Sequence, residues 1–275
     1  MKKILLLIAL CYSVFITACS TSRNATAIAS GAKYVALGSS FAAGPGIDTQ
    51  LGSCGRSDHS YSQLVAEDLS LSITNVSCNG ATIANILDTP QGESPLQINA
   101  VTPDTALVTV TIGGNDINYT SSTFACSGTA ADELCTANLD QASINAAIER
   151  LPARLGEMFD TIKARAPEAT IVLVAYPRVF PDDATSCSEL ELSAEDTNYL
   201  AAMGTKLEAA FVSATSSKQI LIADSYVLAE GHGPCASTER WVNGATVVES
   251  GIRYHPTARG HIEMARLVLA ALEGN

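Results

Sequence analysis

The sequence predicts an α/β fold, a three-layer α/β/α sandwich with a central, mostly parallel sheet. Apolar runs of strand length alternate along the chain with longer helical stretches, a pattern typical of a parallel sheet covered on both faces. The chain has 275 residues, of which 47% are hydrophobic and only 16% charged, so a sizeable core can be buried. No internal repeat or linker interrupts it after residue 33, and we therefore predict a single domain over 33–275.

Strands and helices follow from the residue pattern. The strand at 106–112 (ALVTVTI) is the clearest, because its β-branched run lies between Pro103-Asp104 and Gly113-Gly114. The predicted strands are 33–37, 73–76, 106–112, 170–175 and 219–223. The predicted long helices are 60–69, 139–166, 193–214 and 256–272.

The first residues have the pattern of a signal peptide. Two lysines precede an apolar run and then small residues, which predicts a leader over 1–18. The stretch at 16–19 (ITAC) resembles a bacterial lipobox, which predicts lipidation of Cys19 and attachment to a membrane through that anchor. An ordinary signal-peptidase site and an uncleaved anchor are the alternatives. Residues 19–32 are small and polar and read as a tether, so we expect an exported or cell-envelope protein.

Cysteine usage agrees with export. Eight cysteines are present, with Cys11 in the leader and Cys19 at the lipobox. An even number in an oxidising compartment indicates disulfides, although the residues alone leave many pairings open. The other six are Cys54, Cys78, Cys126, Cys135, Cys187 and Cys235. No CxxC pair exists and the four histidines are scattered, so we expect no zinc or other metal site and no cofactor.

The charge balance argues against a nucleic-acid partner. The formal net charge is −12 with only 16 lysines and arginines, which offers no obvious basic surface for a phosphate backbone. We expect a monomer whose partner is a small-molecule or lipid substrate.

Two adjacent serines follow the first predicted strand directly, in the GSSF stretch at 38–41. Ligands of open parallel sheets bind at the carboxyl ends of the strands, which is where these serines lie. The amides of a helix beginning near Ser40 would favour an oxyanion beside the hydroxyl. A serine there could equally cap that helix, and the stretch alone does not choose between Ser39 and Ser40.

Further polar groups follow other predicted strands. The GGND stretch at 113–116 ends the clearest strand, and the Asn115 side-chain amide there could be an oriented donor where negative charge develops. It could also be part of an ordinary turn. Gly80, in the CNGA stretch at 78–81, could direct its backbone amide to the same pocket.

His255 is the candidate general base. It precedes Pro256, and because proline suits a first helical turn, His255 is expected just outside the last helix. A loop histidine with a structural hydrogen bond is the alternative. His261 is expected inside the helix, packed or facing solvent.

Together these pieces resemble the SGNH (GDSL-type) hydrolase superfamily, in the same order and with matching spacing over almost the whole chain after the leader. The stretches at 35–38 (VALG), 111–116 (TIGGND) and 241–244 (WVNG) look like its secreted, disulfide-bearing esterase and lipase branch. The resemblance implies the flavodoxin-like SGNH hydrolase fold. It also implies three disulfides between sequence neighbours: Cys54–Cys78, Cys126–Cys135 and Cys187–Cys235.

The resemblance also implies the roles of the site residues. Ser40 occupies the position of the family's nucleophile, and His255 that of the base. The Ser40 and Gly80 amides and the Asn115 side chain would form the oxyanion hole, and hydrolysis would pass through an acyl-enzyme.

At two positions the sequence departs from the family pattern. Ser39 stands where the family usually has aspartate, and Ile252 stands three residues before His255, where it usually has another. Because some secreted members use a backbone carbonyl to orient the histidine, we predict the Ile252 carbonyl for this role, giving a Ser–His dyad. The alternatives are a water or a carboxylate from elsewhere, such as Glu249 or Asp224.

The function expected is that of an exported serine ester hydrolase of the carboxylesterase or lipase type. An acetyl esterase acting on cell-wall or plant polysaccharide is the alternative within the same chemistry. A non-catalytic surface lipoprotein that binds a ligand is the alternative of another class.

Overall fold

The computed structural model describes residues 28–128, 135–181, 187–237 and 239–274. The predicted signal peptide, the lipobox cysteine Cys19 and the first part of the tether lie outside the described residues.

A parallel sheet forms the centre of the fold. The described strands are β1 (Lys33–Gly38), β2 (Gln50–Leu51), β3 (Arg56–Ser57), β4 (Ser72–Asn75), β5 (Thr105–Thr111), β6 (Thr170–Val174) and β7 (Leu221–Ala223). The short strands β2 and β3 pair antiparallel in a separate hairpin, and the other five form the sheet in the order β4-β1-β5-β6-β7, with every neighbouring pair parallel. The parallel sheet was predicted from the continuous apolar character of its strands.

Eight α-helices are described. They are α1 (Ser40–Ala43), α2 (Tyr61–Asp68), α3 (Ile83–Leu87), α4 (Tyr119–Cys126), α5 (Gln141–Arg165), α6 (Ala194–Thr215), α7 (Ser225–Leu228) and α8 (Ala258–Glu273). Short 3-10 turns lie at Gln97–Ala100, Cys135–Asn138 and Ser188–Leu190. Within the described ranges, no helix combines the length and apolar character needed to cross a membrane.

The helices cover both faces of the sheet, as the strand pattern predicts. Side chains alternate across each strand, so Tyr34 and Ala36 of β1 pack on one face while Val35 and Leu37 pack on the other. Helices α2 and α8 cover the first face, and α3, α5 and α6 cover the second. The prediction of a three-layer α/β/α sandwich is therefore confirmed.

Some predicted boundaries are wrong for local reasons. The last helix begins at Ala258 rather than Pro256, because the Thr257 hydroxyl caps it by accepting from the Gly260 amide at 3.0 Å. Strand β7 begins at Leu221 rather than residue 219, because Gln219 adopts a left-handed conformation with φ of 55°. Helix α4 was not predicted. Its serines and threonines are weak helix formers, and its buried residues pack in the core.

Candidate active site

The polar residues singled out in the sequence gather at the carboxyl edge of the sheet. Gly38 is the last residue of β1, and Ser40 is the first residue of α1. Gly38 has φ of 134°, and a Cβ atom here would collide with the carbonyl oxygen of Thr111 on the adjacent strand. Glycine therefore lets β1 approach β5 closely and turn at once into the serine pair.

Ser40 and His255 are hydrogen-bonded to each other. The Ser40 Oγ lies 2.8 Å from His255 Nε2, and both residues are almost completely buried. The other ring nitrogen, Nδ1, lies 2.8 Å from the carbonyl oxygen of Arg253. Because a carbonyl can only accept, Nδ1 carries the proton, and Nε2 is the acceptor that faces the serine hydroxyl.

The prediction that the Ile252 carbonyl orients His255 is wrong, since the acceptor is the carbonyl of Arg253. Ile252's own carbonyl accepts instead from the backbone amide of His255 at 3.3 Å. Tyr254, with φ of 57°, makes a left-handed turn between Arg253 and His255. In this tight turn the Ile252 carbonyl accepts from the His255 backbone amide, which leaves the Arg253 carbonyl to accept from the His255 ring.

No carboxylate hydrogen-bonds to His255 in the described part of the chain. Asp224, an alternative partner for the histidine, instead caps α7 by accepting from the Val227 amide at 3.0 Å. A backbone carbonyl thus takes the place that a carboxylate has in a Ser-His-Asp triad.

Two aromatic rings enclose the imidazole of His255. The Phe41 ring centroid lies 4.6 Å away and that of Phe124 lies 6.1 Å away. Desolvation lowers the pKa of His255 to about 4, and the hydrogen bond to the Arg253 carbonyl opposes this shift. The imidazole is therefore neutral at ordinary pH, as a general base must be.

Gly80 and Asn115 lie on loops that contact each other. The Asn115 Nδ2 donates to the Ala81 carbonyl at 2.9 Å, which leaves its second N–H available to a ligand. Gly80 has φ of 80°, and the Cys78 amide donates to the Gly38 carbonyl at 3.0 Å, which joins the Gly80 loop to the end of β1. The loops that carry Ser40, Gly80 and Asn115 are thus neighbours at one edge.

His261 takes no part in this arrangement. It is fully buried, and its Nδ1 accepts from the backbone amide of Tyr61 at 3.1 Å. Burial lowers the pKa of His261 to about 3. It packs inside the protein, which was one of the two expectations for it.

The structure contains the three disulfides between sequence neighbours that the resemblance implied: Cys54–Cys78, Cys126–Cys135 and Cys187–Cys235. The first reaches the residue two positions before Gly80, and the second ends α4, the helix that carries Phe124. Asp196 lies close to Cys126 and Cys135, but sulfur atoms joined in a disulfide are not thiolate ligands for a metal.

Three residues that support the site were not recognised from the sequence as members of it. The Gln97 side chain accepts from the Gly38 amide at 2.8 Å and donates to its carbonyl at 3.0 Å. The Asn243 Nδ2 donates to the Ser250 carbonyl at 2.7 Å and so holds the loop before His255. Tyr176 contacts both Ser39 and Gly114. No local motif distinguishes Gln97 or Tyr176, and Asn243 appeared only within the WVNG stretch.

Comparison with known proteins gives a consistent match. The chain matches the GDSL-like Lipase/Acylhydrolase family over residues 36–261. It is 31% identical over 233 residues to a lipase of Streptomyces rimosus, an alignment covering 82% of this chain and 81% of that protein. It is 30% identical over 256 residues to Lipase 2 of Streptomyces coelicolor, covering 87% of this chain and 85% of the relative.

Solved structures agree with these sequence matches. The crystal structure of an extracellular lipase from Streptomyces rimosus superposes with a TM-score of 0.75 at 29% identity, covering 88% of this chain and all of the other. A phospholipase A1 from Streptomyces albidoflavus superposes with a TM-score of 0.72 at 24% identity, over 88% of this chain and all of the other. The second similarity supports the fold alone.

Proposed function

This chain belongs to the GDSL-like lipase/acylhydrolase family, and on that basis we propose that it is an exported serine esterase or lipase working through an acyl-enzyme on Ser40. Relatives named lipase and esterase make it a hydrolase of ester bonds. The observation that carries the proposed mechanism is the 2.8 Å contact between Ser40 Oγ and His255 Nε2.

In this mechanism His255 transfers one proton in acylation and a second proton in deacylation. Nε2 takes the proton of Ser40 as Oγ attacks the ester carbonyl, and the imidazolium then gives that proton to the departing alcohol. Water then attacks the acyl-enzyme while His255 Nε2 takes a proton from it, and the imidazolium returns a proton to Ser40 Oγ as the acid departs. The carbonyl of Arg253 keeps the ring in the required tautomer and orientation throughout.

The tetrahedral intermediate needs donors for its oxyanion. The proposed donors are the backbone amides of Ser40 and Gly80 and the second N–H of the Asn115 side chain. The contact between the Asn115 and Ala81 loops supports this set. Removal of one such donor typically costs about 2.7–4 kcal/mol of transition-state stabilisation.

Acyl esters of lipids or small alcohols are the proposed substrates, ahead of acetylated polysaccharide. Carbohydrate sites commonly stack sugars on exposed aromatic rings, and this chain has one tryptophan, which is buried. His232 stacks on that residue, Trp241, at a centroid distance of 4.6 Å, so one face of the ring is already covered.

Export is part of the proposal, with residues 1–18 as signal peptide and Cys19 as the lipid-bearing residue that attaches the enzyme to a membrane. The lysine-apolar-lipobox order and the three disulfides support it. Fractionation with labelled palmitate tests it. We expect label in the wild-type protein and none in Cys19→Ser, and label retained by the variant would contradict lipidation at Cys19.

Covalent labelling with a fluorophosphonate probe tests the nucleophile. We expect labelling of the wild-type protein, loss in Ser40→Ala, and slower labelling that still reaches completion in Ser39→Ala, which removes the adjacent hydroxyl but keeps the nucleophile. Labelling that survives Ser40→Ala, or an absence of labelling in folded wild-type protein, would overturn the proposal.

A series of ester substrates tests the proposed preference for acyl esters over acetylated polysaccharide. p-Nitrophenyl esters of increasing chain length, assayed beside acetylated xylan, should be hydrolysed faster than the polymer. Activity on the polymer alone would reverse the order of the two substrate classes.

A further inference from the structure

We propose that Tyr176 is a positioning residue whose hydroxyl sets the relative placement of the nucleophile loop (Ser39 and Ser40) and the oxyanion loop (Gly114 and Asn115). Tyr176 follows β6, two residues beyond its end at Val174. Its hydroxyl lies 3.0 Å from Ser39 Oγ, next to the nucleophile, and accepts from the Gly114 amide at 3.2 Å, next to Asn115. The inference rests on the proposed roles of Ser40 and Asn115.

These contacts form a chain of hydrogen bonds in one direction. The Gly114 amide donates to the Tyr176 hydroxyl, which leaves the single phenolic proton for Ser39 Oγ. The Ser39 hydroxyl in turn points to the carbonyl oxygen of Thr111, at 3.5 Å. The Gly114 amide, the Tyr176 hydroxyl and the Ser39 hydroxyl each donate once. The Tyr176 hydroxyl therefore links the residues that follow β1 to those that follow β5.

Burial makes the hydrogen bonds of the Tyr176 hydroxyl difficult to replace. Tyr176 is 3% exposed and Ser39 is fully buried, so neither can exchange its partner for bulk water without opening the core. Burial also raises the pKa of Tyr176, which keeps the phenol protonated and able to donate.

Packing gives the same residue a second route to the site. The Tyr176 ring contacts the Phe41 ring at a centroid distance of 4.4 Å, and Phe41 contacts His255 at 4.6 Å. On the other side, a Cβ atom at Gly114 would lie 2.9 Å from the Tyr176 ring, so the absence of a side chain there is what admits the tyrosine. Tyr176 thus lies between the base, the nucleophile loop and the oxyanion loop without touching a reacting atom.

This arrangement offers a reason for the unusual Ser39. A neutral hydroxyl can accept from Tyr176 and still donate to the Thr111 carbonyl, whereas a carboxylate accepts only and would face that carbonyl with like partial charge. Ser39 and Tyr176 are therefore one functional pair, although they are 137 positions apart.

The test is Tyr176→Phe, which keeps the ring and removes the hydroxyl. Tyr34→Phe is the matched control: Tyr34 is also buried and its hydroxyl hydrogen-bonds that of Thr109 at 2.6 Å, but among the described residues it makes no hydrogen bond to Ser39 or Gly114. Steady-state kinetics on a p-nitrophenyl ester, the inhibition constant of an alkylboronic acid that mimics the tetrahedral intermediate, and thermal midpoints are measured for both.

We expect kcat of Tyr176→Phe to fall about tenfold, KM to change less than twofold, and the boronate to bind about tenfold more weakly. Tyr34→Phe should lose a similar amount of thermal stability and keep kcat within twofold. Ser39→Ala deletes the same bond from the other side, so its double variant with Tyr176→Phe should lose no more kcat than Tyr176→Phe alone.

Equal kcat in Tyr176→Phe and Tyr34→Phe would overturn the positioning role, as would full additivity of the Ser39 and Tyr176 changes. If Tyr176→Phe does not fold, Ser39→Ala alone decides the question, with unchanged kcat overturning the role. Ser40→Ala is assayed in parallel. Retained activity there would refute the proposed nucleophile, whereas an inactive Ser40→Ala with a fully active Tyr176→Phe refutes only the positioning role.

Discussion

The ring of Phe124 lies over the imidazole of His255, with the centroids 6.1 Å apart and the planes inclined by 27°. Phe124 is half-buried at the surface, so it separates the histidine from solvent. The Arg253 guanidinium lies 5.5 Å from the centroid of the Phe124 ring. The backbone carbonyl of the same Arg253 accepts from His255 and orients it. Phe124, which covers the imidazole, and Arg253, which orients it, are therefore in contact with each other.

The first prediction concerns the pH profile. The base must be neutral, and burial lowers the pKa of His255 to about 4, so activity should persist well below the ordinary histidine value and fall only near pH 4. The rate of Ser40 modification by a fluorophosphonate, measured from pH 3 to 8, checks this, with circular dichroism to confirm folding. An acid limb near pH 6.5 would contradict it.

Removing the Phe124 ring should shift the acid limb of the Ser40 modification rate to higher pH. Phe124→Ala admits water to the imidazole, which favours its charged form, so we expect the acid limb of the same reaction to rise by about one pH unit. Phe124→Leu keeps an apolar cover and is the matched control, expected near the wild-type position. An unmoved limb in both variants would show that Phe124 does not desolvate the base.

Gln97 should be needed for the geometry of the nucleophile loop. Gln97→Met keeps a side chain of similar length but leaves the Gly38 amide without its partner, whereas the Gly38 carbonyl still accepts from the Cys78 amide. Each buried polar group left unpaired costs about 1–3 kcal/mol, so urea unfolding should show a loss of at least about 1 kcal/mol, together with lower kcat. Unchanged stability would mean that water replaces the amide.

Glu208 should make stability depend on pH. Neither of its buried carboxyl oxygens has a hydrogen-bond partner in the part of the chain that the structure describes. Desolvation, with repulsion from Asp224, raises the pKa of Glu208 from 4.5 to about 7. The folded state therefore holds a proton that the unfolded state has released, and stability falls as pH rises from about 4.5 to 7.

Glu208→Gln should remove this dependence. We expect the variant to be more stable than wild type by up to about 3 kcal/mol at pH 8 and equal to it at pH 4. The exposed Glu195→Gln on the same helix is the control, with little effect at either pH. Urea titrations at both pH values measure the difference, and a gain of equal size at pH 4 would contradict the argument.

Much of the fold could be predicted because its signals are local. A buried parallel strand is a continuous apolar run, and a turn that needs glycine shows one, as at Gly38 and in the 113–116 stretch. Predicted boundaries were wrong where a single residue decides them, as with the side-chain cap of Thr257 at α8 and the left-handed backbone of Gln219 before β7. Helix α4 was missed because tertiary packing, rather than helix propensity, stabilises it.

The sequence by itself determined the layered α/β architecture and placed the Ser39-Ser40 pair, Gly80, Asn115 and His255 in short motifs next to strand or helix ends, and the resemblance of those motifs to a family selected Ser40. Only the tertiary structure decided that the Arg253 carbonyl, not that of Ile252, orients the histidine, since one left-handed residue, Tyr254, selects which carbonyl faces the ring. Only the tertiary structure shows that Ser39 hydrogen-bonds to Tyr176 and that Gly38 hydrogen-bonds to Gln97. These partners lie far apart in the sequence and meet only when the sheet and its connecting loops assemble, so the residues beside each of them give no indication of the contact.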